Sequence, residues 1–182
     1  MATRALMDLS NLQQQIGLQA TAKQPPLEQW QPELSGDIDI EIHSDGGWWH
    51  QGSAFERQDL VRLFASILRR EGDEYFLVTP VEKWRIQVED RPFVVTLIEA
   101  DADGIEFVTN VGDSGRIGPE HPLRLSYRQG EAEPLPEVLI RHDLWARLSR
   151  NAFYELVEHA VEIDGQWRIL SDGESFALVV AE

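Results

Sequence analysis

The stretch LRREGDEYFLVTPVEKWRIQVEDRPF, residues 68–93, is the part of the chain that decides its interpretation. Its pattern predicts the last turn of an amphipathic helix, a glycine stop, a strand, a proline-centred turn that carries Glu82 and Lys83, and a second strand that ends at Glu89–Asp90. Lys83 is one of two lysines in the sequence, against fourteen arginines. A single lysine beside carboxylates at a turn is typical of a structural ion pair and also of a ligand clamp, and the sequence leaves both open.

The chain of 182 residues carries a formal net charge of −16. This length suits one domain or two small ones with a real core. A surface this acidic repels phosphate backbones, so we exclude bulk nucleic acid as a partner, whereas a small anion in a local basic pocket remains open. The sequence contains no cysteine, which removes disulfides, thiolate catalysis and cysteine-bound zinc from consideration.

The N-terminus shows no targeting or membrane signal. It lacks the continuous apolar core of a signal peptide, and no window of the sequence approaches eighteen apolar residues. The absence of cysteine fits a reducing compartment. We therefore expect a cytoplasmic protein that makes no use of a membrane.

Residues 1–34 form the first predicted region, a short helix and an arm. Apolar residues recur every three or four positions over residues 4–16, which predicts one stripe of an amphipathic helix. These positions are Leu6, Leu9, Leu12 and Ile16. The segment from Lys23 to Pro32 is rich in proline and is expected to lie extended over the surface.

A hairpin–helix–strand pattern occurs twice in the chain. In the first copy, the alternation over Gly36–His43 and the turn at Asp45–Gly47 predict a hairpin, and a helix with arginines in its last turn follows. The apolar helix positions return 93 residues later without a gap. The pairs are Leu60 with Phe153, Leu63 with Leu156, Phe64 with Val157, Ile67 with Ala160 and Leu68 with Val161. Gly72 and Gly165 follow the two helices and lead into apolar strands, so we infer an internal duplication.

The residues between the two copies contain short strand candidates separated by turn signals. The candidates are Trp84–Val88, Val94–Glu99, Ile105–Thr109, Leu123–Tyr127 and Val138–Ile140. Strands at this spacing with few helices favour antiparallel sheets over strands that alternate with helices. The predicted fold class is α+β and β-rich, mostly antiparallel, in two related halves at residues 35–83 and 84–182.

None of the short motifs completes a catalytic or metal site. Gly112–Gly115 resembles a serine-protease turn without the base and the orienting group that such a nucleophile needs. Asp101–Gly104 begins like a calcium loop and does not continue as one, which indicates an acidic hairpin turn. The five histidines lack metal-ligand spacing, and no phosphate-binding glycine loop is present. We therefore predict no catalytic residue and no metal site, and leave the cofactor unknown.

Several segments of the chain resemble a known bacterial family, domain of unknown function 1285. They read WQPELSGDIDIEI, DGGWWHQGS, LVRLFASILRREGDEYFLVTPVEKW, VEDRPF, TNVGD and HPLR. The resemblance implies a duplicated core in which the C-terminal half looks like a pleckstrin-homology-like barrel. It also implies a ligand site between the halves, with a nucleotide-like ligand and a role in signalling.

Matching these motifs residue by residue gives the predicted ligand-binding set. It consists of Arg69, Lys83, Glu89, Asp90, Thr109, Asn110, Asp113 and His121. The two cations can meet phosphate, and the amide, hydroxyl and carboxylates can read a base or a ribose edge. The alternative is that these residues hold the two halves together through buried polar contacts.

Three functions follow as hypotheses, in this order. The first is a non-enzymatic sensor that binds a small anionic, nucleotide-like ligand. The second is a protein-interaction module built on Trp48, Trp49, the proline-rich arm and the N-terminal helix. The third is a hydrolase that uses Glu89, Asp90 or His121 with a recruited metal. The oligomeric state is left unknown.

Overall fold

A computed structural model describes residues 9–17 and 24–179 of the chain. The start of the predicted N-terminal helix, residues 4–8, and Lys23 lie outside the described residues. The described residues divide into two units. The first lies within Met1–His43 and Gly47–Glu89, and the second within Ser44–Gly46 and Asp90–Glu182.

Strands outnumber helices in both units. The helices are α1 (Leu9–Gly17), α2 (Gln58–Ser66) and α3 (Arg150–Glu158), with one 3-10 turn at Leu27–Gln29. The strands of the first unit are β1 (Leu34–Ile42), β2 (Trp48–His50), β3 (Ser53–Ala54), β4 (Leu68–Glu71), β5 (Glu74–Val78) and β6 (Lys83–Val88). Those of the second are β7 (Phe93–Ala100), β8 (Ile105–Thr109), β9 (Ser114–Arg116), β10 (Leu123–Ser126), β11 (Leu135–Arg141), β12 (Leu144–Leu148), β13 (Val161–Ile163), β14 (Gln166–Ser171) and β15 (Glu174–Ala177).

The first unit is a six-stranded sheet in the order β3-β2-β1-β6-β5-β4. The central pair, β1 with β6, is parallel, and the other pairs are antiparallel. The alternation in β1 buries Ile40 and Ile42 completely, and α2 adds the equally buried Phe64. Each such side chain stabilises the fold by about 1.5–3 kcal/mol relative to an exposed one. The predicted strand Trp84–Val88 corresponds to β6, which belongs to the sheet of the first unit, between β1 and β5.

The predicted helical turn at Leu68–Glu71 is wrong, because these residues form strand β4. Helix α2 ends at Ser66, and Ile67 has already left helical geometry with φ −108° and ψ 11°. Leu68 pairs with Leu77 in β5, and both side chains are buried. Gly72 makes the hairpin turn between the two strands with φ +61° and is not a helix stop. Burial against β5 outweighs one further turn of a short helix.

The second unit repeats the same sheet in the order β10-β11-β12-β7-β8-β9. Its central pair, β7 with β12, is again parallel. Helix α3 packs on these two strands, with Ala152 and Leu156 buried. A separate three-stranded antiparallel sheet, β13-β14-β15, completes the unit. The unit that the resemblance implies to be a pleckstrin-homology-like barrel is thus built from these two sheets and one helix.

The predicted duplication is confirmed and has two levels. Ninety-three residues apart, α2 with β4, β5 and β6 recurs as α3 with β13, β14 and β15. In addition, β1–β6 and β7–β12 share one strand order. The helix follows the third strand in the first sheet and the sixth strand in the second. The predicted α+β, β-rich class is confirmed with it.

The described helices are short. None of them is long and apolar enough to cross a membrane.

Candidate functional site

In the first unit, Arg69 and Lys83 meet at one carboxylate. Lys83 Nζ donates to Glu71 Oε2 at 3.0 Å, and Arg69 Nε lies 3.2 Å from Glu71 Oε1. Arg69 Nη1 also donates to two carbonyl oxygens, of Leu27 at 3.0 Å and Trp30 at 2.8 Å. Arg69 therefore fastens the proline-rich arm to strand β4, and both predicted cations have protein partners.

Glu89 ends the first unit just beyond β6. Its backbone N–H donates to the carbonyl oxygen of Ile42 at 3.0 Å, which extends the pairing of β1 with β6 by one bond. Arg69, Lys83 and Glu89 are the three predicted ligand-binding residues that belong to the first unit. Their role toward a ligand stays a prediction.

In the second unit, the predicted residues after β8 build a turn. Asn110 uses both ends of its side-chain amide, because Oδ1 accepts from Val94 N–H at 3.0 Å and Nδ2 donates to the Gly46 carbonyl at 3.0 Å. The Thr109 hydroxyl accepts from the Asp113 N–H at 3.1 Å. Each of these side-chain groups of Asn110 and Thr109 hydrogen-bonds to a backbone group and so stabilises the turn.

The remaining side chains of this region are bonded to neighbouring strands. The Asp113 carboxylate accepts from Arg141 Nη1 at 2.7 Å, and the Arg141 guanidinium stands 5.0 Å from the centre of the Phe93 ring. His121 Nδ1 lies 2.9 Å from the Leu139 carbonyl oxygen. These bonds hold the loops of the second sheet in place.

Asp90 belongs to a buried ionic cluster that the sequence analysis missed. Arg147 Nε donates to Asp90 Oδ2 at 2.9 Å, and Nη2 donates to Oδ1 at 3.2 Å. The side chains of Arg147 and Asp90 are 4% and 7% exposed. Arg147 Nη1 donates further to the Ser126 hydroxyl and to the carbonyls of Ser126 and Leu135. A guanidinium buried to this degree needs such partners.

Glu137 is the second carboxylate of the cluster and is completely buried. Arg91 Nε donates to its Oε2, Arg124 Nε donates to Oε1 at 2.7 Å, and Arg147 Nη1 lies 3.7 Å from Oε2. The Arg124 guanidinium also stacks 3.5 Å from the centre of the Trp145 ring. Three arginines thus converge on one carboxylate.

The arginines decide the protonation of Glu137. Burial alone would raise the pKa of its carboxyl, but hydrogen bonds from Arg91 and Arg124 and the charges of Arg91 and Arg147 lower that pKa below the ordinary 4.5. Glu137 is therefore ionised at neutral pH and stabilises the cluster as an anion.

A signal for this cluster is visible in the sequence in retrospect. Glu137 interrupts the apolar run LPEVLI, and Arg147 interrupts LWARL. A charge inside a buried strand needs an opposite charge close by. Two adjacent apolar strands with opposite charges therefore predict a buried ion pair between them.

Next to Arg147 lies a cavity of about 300 Å³, here called the arginine cavity. Its charged lining is Arg128, Arg147, Arg150 and Glu131, its aromatic lining is Phe153 and Tyr154, and the remainder is aliphatic or proline from β11 and β12. The volume matches the lower end of small-molecule sites, about 300–1,000 Å³. The lining carries three positive charges and one negative.

Two of these arginines are available to a ligand. Arg128 Nη2 lies 3.6 Å from Glu131 Oε1, a distance too long for a hydrogen bond. The side chain of Arg150 is exposed and makes no hydrogen bond or ion pair with any residue in the described part of the chain. Guanidinium groups bind carboxylate and phosphate in a fixed two-pronged geometry. The cavity is therefore suited to an anion.

A larger cavity of about 490 Å³ has the opposite character. Its lining includes Asp101, Asp103, Asp172 and Glu174. Backbone N–H bonds from Asp103 and Gly104 and the charge of Arg116 lower the pKa of Asp101. Across residues 9–17 and 24–179, no group of three or more histidines and carboxylates is arranged to hold a metal ion. The acidic cavity repels anions and does not compete with the arginine cavity for them.

Two family models match the sequence and leave little of it uncovered. Residues 25–91 match the N-terminal domain of a domain of unknown function, DUF1285, and residues 92–178 match the C-terminal domain of the same family. The boundary between the two models coincides within two residues with the change of unit between Glu89 and Asp90. No protein with a curated function matches the chain.

Two crystal structures of the same family resemble the chain. A DUF1285 family protein from Silicibacter pomeroyi DSS-3 is 41% identical with a TM-score of 0.82, over 87% of this chain and 89% of that one. A DUF1285 family protein from Shewanella baltica OS155 is 29% identical with a TM-score of 0.53, over 66% of this chain and 91% of that one. The resemblance predicted from the motifs is confirmed, and the chain belongs to the DUF1285 family.

Proposed function

We propose that the protein is a non-enzymatic module whose second unit binds a small anionic ligand of the nucleotide class in the arginine cavity. The observation that supports this proposal best is the concentration of positive charge in that cavity. The cavity and the ionic cluster share Arg147. Together they contain five arginines, Arg91, Arg124, Arg128, Arg147 and Arg150, and three carboxylates, Asp90, Glu131 and Glu137. Five minus three leaves a surplus of two positive charges, in a chain whose net charge is −16.

The aromatic side of the cavity suits the organic part of such a ligand. Tyr154 is 59% exposed and lies beside Phe153, with their ring centres 6.1 Å apart. An exposed aromatic ring next to arginines can stack on a base while the guanidinium groups hold the phosphate. The cavity in this proposal lies wholly in the second unit. A ligand role for Arg69, Lys83 and Glu89 is a separate expectation.

The experiment is a thermal-shift and calorimetric titration with inorganic pyrophosphate, AMP and ADP. A ligand at a hundred times its dissociation constant stabilises the folded state by about 2.7 kcal/mol. We expect this shift for the wild type, and expect Arg150→Ala and Arg128→Ala each to weaken binding at least tenfold. Arg57→Ala is the matched control, because Arg57 is an exposed arginine of the first unit that pairs only locally with Asp59 at 2.6 Å.

Two outcomes contradict the proposal. One is the absence of any shift or heat with all three anions in the wild type. The other is binding that survives Arg150→Ala but is lost in Lys83→Ala, which would assign the ligand to the first unit. Binding that weakens with added salt is expected in addition, because the contact is between charges.

A protein-binding surface is the second candidate function. Several exposed apolar side chains lie in the last third of the second unit, namely Tyr154 and Val157 on α3 and Trp167 and Leu170 on β14. Trp48, on which the sequence hypothesis relied, is buried, and Trp49 is half-buried against His43. The candidate surface therefore moves to β14, where Trp167 is 49% exposed. Sedimentation of the wild type and of Trp167→Ser over a range of concentrations tests whether this surface associates.

A further inference from the structure

Arg147, which lines the arginine cavity, also binds the segment where the chain enters the second unit. Arg147 contributes to the cavity wall and binds Asp90 through two hydrogen bonds. Asp90 directly follows Glu89, the last residue of the first unit. One guanidinium thus connects a candidate ligand site with the Asp90–Pro92 segment.

An anion in the arginine cavity competes with Asp90 for the N–H donors of Arg147. A guanidinium has five N–H donors. Nε and one hydrogen of Nη2 are used on Asp90, and Nη1 is used on Ser126 and Leu135. Among the described residues, one hydrogen of Nη2 has no acceptor, and this is the hydrogen that an anion in the cavity would take. That anion and Asp90 would then share the same nitrogen, and their negative charges repel each other.

The neighbouring residue adds a second connection. Arg91 donates to Glu137 and, through Nη2, to the Ser126 hydroxyl at 3.3 Å, the same hydroxyl that Arg147 Nη1 binds at 2.9 Å. A movement of the Arg147 guanidinium toward the cavity therefore disturbs the bonds of Asp90 and Arg91 together. Both residues belong to the one short segment at the start of the unit.

We infer that occupancy of the arginine cavity by an anion is coupled negatively to the bonds that hold the Asp90–Pro92 segment. This inference rests on the proposed function and adds its regulation. Binding loosens the segment, and a loose segment favours binding, because coupling between two sites is reciprocal. Anion binding in the arginine cavity then weakens the bonds that hold the chain where it passes from the first unit to the second.

The first experiment compares the affinity for inorganic pyrophosphate of the wild type, Asp90→Asn and Asp101→Asn. Asp90→Asn keeps an oxygen acceptor for Arg147 and removes the competing charge, so we expect it to bind about fivefold more tightly or better, the lower end of typical coupling. Asp101→Asn is the matched control, because Asp101 is an aspartate of the same unit that pairs with Arg116 at 2.5 Å and does not line the arginine cavity. Its affinity should equal that of the wild type.

The second experiment needs no variant. Amide hydrogen exchange of the wild type, with and without saturating pyrophosphate, should show faster exchange at Asp90 and Arg91 when the anion is bound. Unchanged or slower exchange there, or an Asp90→Asn affinity equal to or weaker than that of the wild type, would overturn the coupling while the proposed function stands. Absence of pyrophosphate binding in every variant would overturn both.

Discussion

The two units each gather cations around a glutamate, and they do so in different surroundings. In the first, Arg69 and Lys83 meet at Glu71, which is 41% exposed. In the second, Arg91, Arg124 and Arg147 meet at Glu137, which is fully buried. Water screens the first cluster and is excluded from the second, so similar distances correspond to different energies. Burial, and not the presence of an ion pair, decides which cluster the fold depends on.

The largest expected effect is that of removing the central guanidinium of the buried cluster. Arg147→Met keeps most of the volume and leaves Asp90 and Glu137 as buried carboxylates that have lost a shared partner. We expect a loss of about 3–5 kcal/mol in the free energy of unfolding, measured by urea denaturation. Arg57→Met in the first unit is the matched control and should leave the urea midpoint in place. A loss below about 1 kcal/mol for Arg147→Met would show that the buried cluster contributes no more to the free energy of unfolding than the exposed one.

The pH dependence of stability gives a smaller effect with a defined sign. The pKa of Glu137 is lowered in the folded state, so its contribution is complete above the unfolded value near 4.5 and is lost as the pH falls from there through the folded pKa. Urea midpoints of the wild type should therefore fall as the pH decreases below about 4.5.

Glu137→Gln separates this contribution from those of other carboxylates. Asp59 and Asp101 also have lowered pKa values, and both remain in the variant. The variant should be less stable than the wild type at pH 7, and the difference should shrink between pH 4.5 and 3. A difference that stays constant over this range would mean that Glu137 is not the titrating group.

The smallest effect is expected in the exposed cluster. Lys83→Ala removes one of two cations from Glu71 and leaves Arg69 in place, so the free energy of unfolding should fall by about 1 kcal/mol or less. Raising the salt concentration should reduce this difference further. A larger loss that persists in high salt would place Lys83 among the residues on which the fold depends.

The sequence predicted local structure well where one face of an element is buried. The alternation over Gly36–His43 anticipated β1, and the repeat at an offset of 93 residues anticipated both helix–strand groups. The helix end at Ser66 was missed, because Leu68 fits the helix stripe and the strand alternation equally well. Only a tertiary contact, the pairing of Leu68 with Leu77, decides between a helix and a strand at this position.

Long-range features could not be predicted from local patterns. The parallel pair of β1 and β6 joins residues such as Asp37 and Arg85, and no turn signal connects them. The buried cluster likewise draws Arg91, Arg124, Glu137 and Arg147 from separate segments. Motif matching selected polar residues, and the side chains of half of them bond to backbone atoms, namely Arg69, Thr109, Asn110 and His121. The arginine cavity became visible only when the strands and α3 had been placed together.

The parallel seam at the centre of each six-stranded sheet has a consequence for folding kinetics. Each sheet consists of two local three-stranded meanders, β1–β3 with β4–β6 and β7–β9 with β10–β12, joined only by their first and last strands. Hairpins form quickly from near neighbours, whereas the seam must bring together the two ends of a six-strand run. We expect seam closure to limit the folding rate. A chain cut between β3 and β4 should still yield two fragments that reassemble along the seam.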